Sequence, residues 1–587
     1  MRLQRRDDWF RIALNITLRK YPVRAALVLI AVAAGAVLSA WPSLILRGIV
    51  DGPLSGDGSS LWRHGFSYLG ALAMIGLGDL IREYGAMVFG QNMLLNIRIL
   101  MLERLRRLPM SWHLGTPVGE TMSRFSSDIE AVNTLFDAGI ISAAADLLKI
   151  GGLIAALFSL SPPLGWLAVG TLPFIWLLSD FFRRNIYRKQ KAVRERVSDI
   201  NTGIREIYAG MKVIKGHGLE RTFASRFEPL LERHRLAMNA NSIYDAWFPV
   251  LMQVLRAIVI ALALLLGAKY NLTPIALGLS LGSLAASADL FIRLFDPIEA
   301  TAAELQTIQQ AMAGIGRIRN FFNQKPETFG TLHEVQEMPT GPVSVEIREV
   351  GFSYGKGASV LEHCSLTISA GEKVALAGRT GSGKTTLLHL VAGLYPVANG
   401  SIRINGLDPF RLPPASRRRL IGIVPQRVVV FNGTFADNVT LRDNTLSMEQ
   451  VKTAIDLVGL SETVQQLPEG LNTLLGEGAS KLSFGQEQLL SLARAIVADP
   501  PLLLLDEMTS GLDALTEQKV LNSLRRMGNQ KTILTVSHRL SGLLDADTVH
   551  VMERGNIVES GSPQVLAGKE GWYARYKRLE DNGWQVP

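Results

Sequence analysis

Ala25 to Leu46 contains no charged residue. A run of that length is enough to cross a bilayer as a helix, which takes about 20 residues. Similar stretches recur through the first half of the chain. Gly65–Gly78 is charge-free and continues past Asp79, Arg82 and Glu83 towards Leu95. Ala138–Leu160 carries Asp146 and Lys149, and Leu164–Ser179 follows a Ser161-Pro162-Pro163 turn. Ala246–Ala268 carries Arg256, and Tyr270–Ala288 is charge-free up to Asp289. The pattern predicts an all-α polytopic membrane domain of six transmembrane helices. Hydrophobic residues at 48% and charged residues at 19% agree with a membrane portion.

Two longer polar stretches, 91–135 and 180–244, separate the second span from the third and the fourth from the fifth. The first shows helical periodicity in Leu95, Ile99, Leu102, Leu105 and Leu108. Both are basic: Arg98, Arg104, Arg106 and Arg107 in one; Arg183, Arg184, Arg188, Lys189, Lys191, Arg194 and Arg196 in the other. The positive-inside rule puts both in the cytoplasm, together with Arg19, Lys20 and Arg24. An even number of spans then puts both termini there. The net charge of +9 has a topological explanation, and no nucleic-acid partner is required. The single cysteine, Cys364, excludes an internal disulfide and a thiolate metal cluster, and its apolar surroundings mark it as a core residue. The N-terminus lacks the pattern of a cleaved signal peptide.

The composition changes near Asn323. Residues 1–322 form the expected membrane domain with helical extensions, 323–342 a polar linker, and 343–587 an α/β phosphate-loop ATPase domain. Gly378-Arg379-Thr380-Gly381-Ser382-Gly383-Lys384-Thr385 is a complete G-x-x-x-x-G-K-[ST] loop between the strand-like 373–377 and the helix-like 386–392. Its backbone N–H groups are suited to phosphate oxygens, Lys384 to the β/γ-phosphates and the Thr385 hydroxyl to Mg²⁺. Leu502–Leu505 is a buried-strand run ending in Asp506 and Glu507. Asp506 is suited to Mg²⁺, and Glu507 to polarising the attacking water. Leu482-Ser483-Phe484-Gly485-Gln486 lies between the two motifs, and Ser537-His538 follows an apolar run beyond them.

In this order, with Gln426 after Val424-Pro425 and Ser510-Gly511-Leu512-Asp513 after Glu507, the chain resembles the ATP-binding cassette (ABC) transporters over nearly all its length. Six spans followed by one cassette resemble an exporter-type half-transporter. Gly210–Lys215 and Gly314–Ile318 also resemble cytoplasmic segments of that family. The resemblance implies ATP and Mg²⁺ as ligands, with residues 378–385, Thr386 and Gln426 at the nucleotide. Tyr354 would stack on adenine, Thr385, Gln426 and Asp506 would approach the metal, Glu507 would be the general base, and His538 would contact the γ-phosphate. Ser483, Phe484, Gly485 and Gln486 would cap ATP held by a second half-transporter, and Asp513 would belong to the loop joining the cassettes.

Phe484 departs from the family's Leu-Ser-Gly-Gly-Gln, because Gly would be expected there. With Glu507 intact, the departure favours a heterodimer over a homodimer. Met508 stands where the family usually has Pro and is read as structural. Within the membrane half, Asp79 with Arg82, Asp146 with Lys149 and Asp289 with Arg293 have the spacing to pair along one helix face. Arg256 has no opposite charge at helical spacing, and this selects it for a cavity or an interhelical contact. Trp41, Trp62, Trp166 and Trp247 read as interface anchors. The expected function is ATP-driven export of an amphipathic drug, lipid or peptide across a bacterial cytoplasmic (inner) membrane. The alternatives are import of a metal-chelator complex by the same fold, or an ATP-gated channel subunit.

Overall fold

A computed structural model of the chain describes residues 8–52, 61–271, 280–327, 339–355, 357–476, 482–509, 511–537 and 545–581. It comprises two compact units, residues 1–106 with 117–324 and residues 107–116 with 325–587.

The first unit is helical. Its elements are α1 (Asp8–Lys20), α2 (Pro22–Leu38), α3 (Trp41–Asp51) and α4 (Leu61–Leu105), and, beyond α5 (Met110–Gly115) of the second unit, α6 (Val118–Ser123) and α7 (Ile129–Leu135). They continue as α8 (Ser142–Leu160), α9 (Pro162–Ala209), α10 (Met211–Gly216), α11 (Glu220–Asn271) and α12 (Leu281–Phe322). Hydrocarbon offers no partner to a backbone N–H or C=O, so a spanning segment must satisfy its own, and a helix does so. Among the described residues, five stretches are long and apolar enough to span: Pro22–Asp51, Trp62–Leu105, Val118–Leu160, Pro162–Ala209 and Glu220–Leu266. The sixth expected span falls partly on residues 272–279, outside the described residues. The helix that follows, α12, has 42 residues but carries Asp289, Arg293, Asp296 and Glu299. At 1.5 Å per residue the 48 residues of α9 extend about 70 Å, far beyond a bilayer core of about 30 Å. The polar stretches of the sequence are therefore continuations of the spanning helices.

The helices meet through small residues and buried apolar ones. A Cβ on Gly152 would stand 2.5 Å from the Ala36 carbonyl, so α8 approaches α2 only because glycine is there. Leu157, Ile175, Val259, Phe291 and Phe295 are fully buried in one cluster. Charges are settled both within helices and between them. Arg82 lies 3.4 Å from Asp79 on its own helix. Lys149 donates not to Asp146 but to Asp79 across the α4–α8 contact, at 3.3 Å. The expected Asp146–Lys149 pair is thus replaced by a bridge that lets Asp79 compensate two cations on two helices. Asp289 accepts from Arg293 at 2.8 Å and from the Ser43 hydroxyl of α3 at 2.6 Å. Arg256 of α11 reaches Asp296 at 3.0 Å and Glu299 at 3.2 Å on α12, and it lies over the Phe295 ring.

Asp128, at the end of a π-helical turn, is 1% exposed and accepts three hydrogen bonds from Arg317. The bidentate carboxylate raises the Arg317 pKa further. Gly314 makes room for the approach, since its Cβ would stand 2.9 Å from that of Ala131. Arg317 is half exposed whereas Asp128 is not, so the two deletions differ. Arg317→Ala strands a buried carboxylate and should cost about 3–5 kcal/mol. Asp128→Ala leaves a guanidinium that water can reach and should cost less, about 1–3 kcal/mol. Thermal unfolding of the purified variants checks the order, and equal losses would contradict it.

The second unit contains β1 (Val345–Ser353), β2 (Ser359–Ile368), β3 (Lys373–Ala377), α13 (Lys384–Val391), β4 (Asn399–Ile404), α14 (Pro414–Leu420) and β5 (Ile421–Val424). Next come β6 (Gly433–Thr434), α15 (Phe435–Thr440), α16 (Met448–Val458), α17 (Ser461–Gln466), β7 (Leu474–Leu475), α18 (Phe484–Ile496) and β8 (Leu502–Asp506). It continues with α19 (Ala514–Arg526), β9 (Thr532–Val536), β10 (Thr548–Glu553) and β11 (Asn556–Gly561). The main sheet runs β11-β10-β3-β9-β8-β5, parallel except for β11, and an antiparallel sheet runs β2-β1-β4. All five residues of β8 are buried, as expected of a central parallel strand covered on both faces. Cys364 is buried in this unit, and burial pushes its thiol up to about 11.

Candidate nucleotide site

Parallel strands put the loops at their carboxyl ends together. In register, Leu376 of β3 stands beside Val536 of β9, which stands beside Asp506 of β8. The loop leaving β3 at Ala377 therefore emerges one strand away from Asp506 and Glu507. Ligands of open α/β sheets bind at this edge.

The loop needs its glycines. Gly378 has φ +137°, and a Cβ there would lie 2.2 Å from the Met552 carbonyl. Gly383 has φ +101° and caps α13, with Leu361 2.7 Å from where a Cβ would be. Lys384 is the first residue of α13 and is 4% exposed. Its ammonium donates to the Gly378 and Arg379 carbonyls, each at 2.9 Å. Burial lowers its pKa, and the nearby Glu507 and Asp506 carboxylates oppose that shift. Two of three ammonium hydrogens are thereby used, which leaves one for an acceptor. The Ser382 hydroxyl is buried and has no hydrogen-bond partner. Arg379, Thr380 and Gly381 are exposed along the rim.

Thr385 donates to Asp506 Oδ1 at 3.1 Å. Burial raises the Asp506 pKa, and the Thr385 bond partly offsets it. Gln426 Nε2 donates to Glu507 Oε2 at 2.6 Å. Glu507 itself has φ +46°, a conformation that costs a non-glycine residue about 1–3 kcal/mol, and its N–H is held by the Val536 carbonyl at 3.0 Å. Tyr354 is 41% exposed, is fixed edge-on by Phe352 and Tyr395, and donates to Thr386 at 3.1 Å. His538 lies outside the described residues.

These residues fit a nucleotide and a hard divalent cation. The cradle excludes side chains, an orphan hydroxyl and a spare ammonium hydrogen remain for phosphate oxygens, and Thr385 and Asp506 offer oxygen donors of the kind Mg²⁺ takes. Sequence reasoning missed the Gln426–Glu507 hydrogen bond and the Met552 carbonyl that forces glycine at 378. Both depend on strands brought together from distant parts of the chain.

The four signature residues occupy a separate place. Ser483 caps α18 in a reciprocal box with Gln486, at 3.3 and 2.8 Å. Gly485 is pressed against Thr516, 2.7 Å from where a Cβ would be, and the Phe484 ring packs over Gly511 while remaining 51% exposed. Asp513 caps α19 through Leu515 and Thr516. Among the described residues, none of the four hydrogen-bonds to the loop at 378–385.

A helical domain with membrane-spanning stretches, joined in one chain to a phosphate-loop domain with this motif order, defines an ABC transporter. The family models agree: the ABC transporter transmembrane region matches residues 25–297, and the ABC transporter model matches residues 361–510. The chain belongs to this family, and its ATPase domain couples ATP hydrolysis to transport. It is 32% identical to the Bacillus subtilis (strain 168) protein named "Probable multidrug resistance ABC transporter ATP-binding/permease protein YheH", over 84% of this chain and 74% of that one. It is 30% identical to an ATP-dependent lipid A-core flippase of Syntrophus aciditrophicus (strain SB), over 84% and 81%. The fold matches a bacterial Atm1-family ABC exporter with ATP bound, with TM-score 0.79 and 23% identity, covering 96% of this chain and 99% of that one.

Gly378→Ala should weaken ATP binding by at least about tenfold, because the new methyl meets a backbone carbonyl and the residue must hold a left-handed φ. Binding of a fluorescent ATP analogue reads the effect. Unchanged affinity would mean that the loop does not need the close approach to Met552.

Proposed function

We propose that the chain is one half of a paired exporter that uses ATP to move an amphipathic substrate, a drug or a lipid, out of the cytoplasm. The observation that carries this reading is Glu507. It is held in a strained conformation beside Asp506 and oriented by Gln426, in a chain that also provides the membrane helices. Lys384 and the loop N–H groups would hold the phosphates, and Thr385 and Asp506 the Mg²⁺. Glu507 would accept the proton of the attacking water, and Tyr354 would offer its ring to adenine. Mg²⁺ would neutralise phosphate charge when bound. His538 would contact the γ-phosphate.

Arg256, Asp296 and Glu299 support the substrate class. Asp296 keeps 68% of its side chain exposed, and a charge at bilayer depth must face water or protein. On the same helix Leu290, Phe291, Leu294 and Phe295 are fully buried, and Arg256 lies over the Phe295 ring. An exposed carboxylate next to buried apolar side chains suits a water-filled path beside apolar walls. The relatives' names, a multidrug transporter and a lipid flippase, are both consistent with amphipathic cargo.

Glu507→Gln should leave ATP binding intact and lower steady-state hydrolysis by at least about a hundredfold. Turnover at the wild-type rate would remove Glu507 from the base role.

The site also supports pairing with a different half-transporter. Phe484 blocks the place of a family glycine, whereas this chain's own Glu507, Lys384 and Thr385 are intact. Affinity purification of the tagged full chain from its native host should bring down a second, distinct half-transporter in equal amount. Recovery of self-dimers alone would reject the heterodimer.

A further inference from the structure

The turn between α1 and α2 carries three cations with no acid near them in sequence. Between Asp8 and Asp51 the chain has no Asp or Glu, while Arg19, Lys20 and Arg24 fall within six residues of one another. All three are exposed, and among the described residues none makes an ion pair. Lys20 and Arg24 instead bracket one ring, with Lys20 Nζ 5.6 Å and the Arg24 guanidinium 4.9 Å from the centre of Tyr21. The turn is anchored from below. Thr17 accepts from Asn96 of α4 at 2.9 Å, and Trp9 stacks on Phe322.

Directly above this turn is a groove of about 250 Å³. Leu18 and Ala25, which bracket the cations in sequence, are part of its lining, and that lining is entirely apolar. Val28 and Val32 of α2, Phe89 of α4, Phe136, Ile141 and Ala144 line it. From Pro22 to Val32 the helix rises about 15 Å, half the thickness of a bilayer core.

We propose that this groove and turn bind one anionic phospholipid of the adjoining leaflet, with an acyl chain in the groove and the phosphate against Arg19, Lys20 and Arg24. An apolar slot one leaflet deep, ending at unpaired cations beside an interfacial tyrosine, matches a phospholipid in both shape and charge. A neutral lipid would fill the slot but leave the cations unpaired. A peptide would have to leave backbone groups unsatisfied against a wholly apolar wall. The groove's lining includes none of Arg256, Asp296 and Glu299, so it is proposed as an accessory site and not the substrate path.

The test uses the purified full chain, delipidated and then equilibrated with vesicles of mixed phosphatidylcholine and phosphatidylglycerol. Lipid retained after repurification is counted by native mass spectrometry. Phosphatidylglycerol should be enriched on the order of tenfold over its share of the vesicle. The R19A/K20A/R24A triple variant, altered only at exposed positions, should lose that enrichment. Ala144→Phe, which fills the groove, should lose retained lipid of both kinds. If Ala144→Phe fails to fold, a salt series on the wild type decides instead. Enrichment should fall from about 0.05 M to about 0.5 M salt, as contacts between exposed charges are screened. Equal retention of the two lipids by the wild type, enrichment that survives the triple variant, or enrichment indifferent to salt would each overturn the proposal. So would displacement of the bound lipid by inorganic phosphate, which would show a phosphate site that does not need the groove.

Discussion

Charge has no solvent inside a bilayer, and this constraint orders the membrane half of the molecule. A lone charged residue at the centre of a spanning helix costs at least a few kcal/mol, so each must find a partner or water. Some partners lie one turn away on the same helix, as Arg82 does for Asp79 and Arg293 for Asp289, and others lie on a neighbouring helix. Asp79 joins α4 to α8 through Lys149, Asp289 joins α12 to α3 through Ser43, and Arg256 joins α11 to α12. These contacts fix which faces of the helices meet, while close-packing glycines such as Gly152 set how nearly they approach. Packing among apolar helices in lipid has no hydrophobic driving force of its own, so a few polar pairs select one arrangement among many that bury similar area.

In the ATPase unit the ordering constraint is the register of a parallel sheet. Because Leu376, Val536 and Asp506 stand side by side, residues from three separate motifs arrive at one edge. The same register lets the Val536 carbonyl hold the Glu507 N–H, so the strained residue is stabilised by the neighbouring strand. Gln426 reaches Glu507 from the segment after β5, the strand on the other side of β8. Substrate-side groups come from β3 and acid groups from β8. The distance between them is therefore set by the sheet and not by flexible loops, which is what a site that must align water and phosphate requires.

Much of this was legible in the sequence because it depends on local spacing. The apolar runs, the loop from Gly378 to Thr385 and the acids after Leu505 each carry their own signature within a few residues. Arg256 was legible in part: with no acid at helical spacing it was marked for a cavity or an interhelical contact, and the acids it meets are on α12. The pairing of Lys149 was not. Asp146 satisfied the helical spacing rule, but Asp79, far off in sequence, stands closer to the ammonium once α4 and α8 pack. The same limit hid the Gln426–Glu507 bond and the role of Met552, since nothing local predicts which strands become neighbours.

Phe484 shows how one changed residue acts through its surroundings. Its ring rests over Gly511, whose φ of +79° and lack of a side chain leave the space. Gly511 leads to Asp513, which holds Thr516, and the Thr516 methyl is what presses on Gly485. Residues 483–486 and 511–516 are therefore one packed patch, and the aromatic ring is part of its structure. The patch nevertheless retains a chemical capacity. Ser483 accepts from the Gln486 N–H, so the hydroxyl proton is still available to a phosphate oxygen. What the ring changes is shape: it fills, with a half-exposed hydrophobe, a place where glycine would leave the helix N-terminus open. A surface meeting this patch must accommodate that bulk, and the chain's own loop was shaped around Lys384 and Met552 by separate constraints. Two copies of one sequence would have to satisfy both demands at both interfaces. Two different halves could divide them, and that is the physical ground for the proposal of an unlike partner.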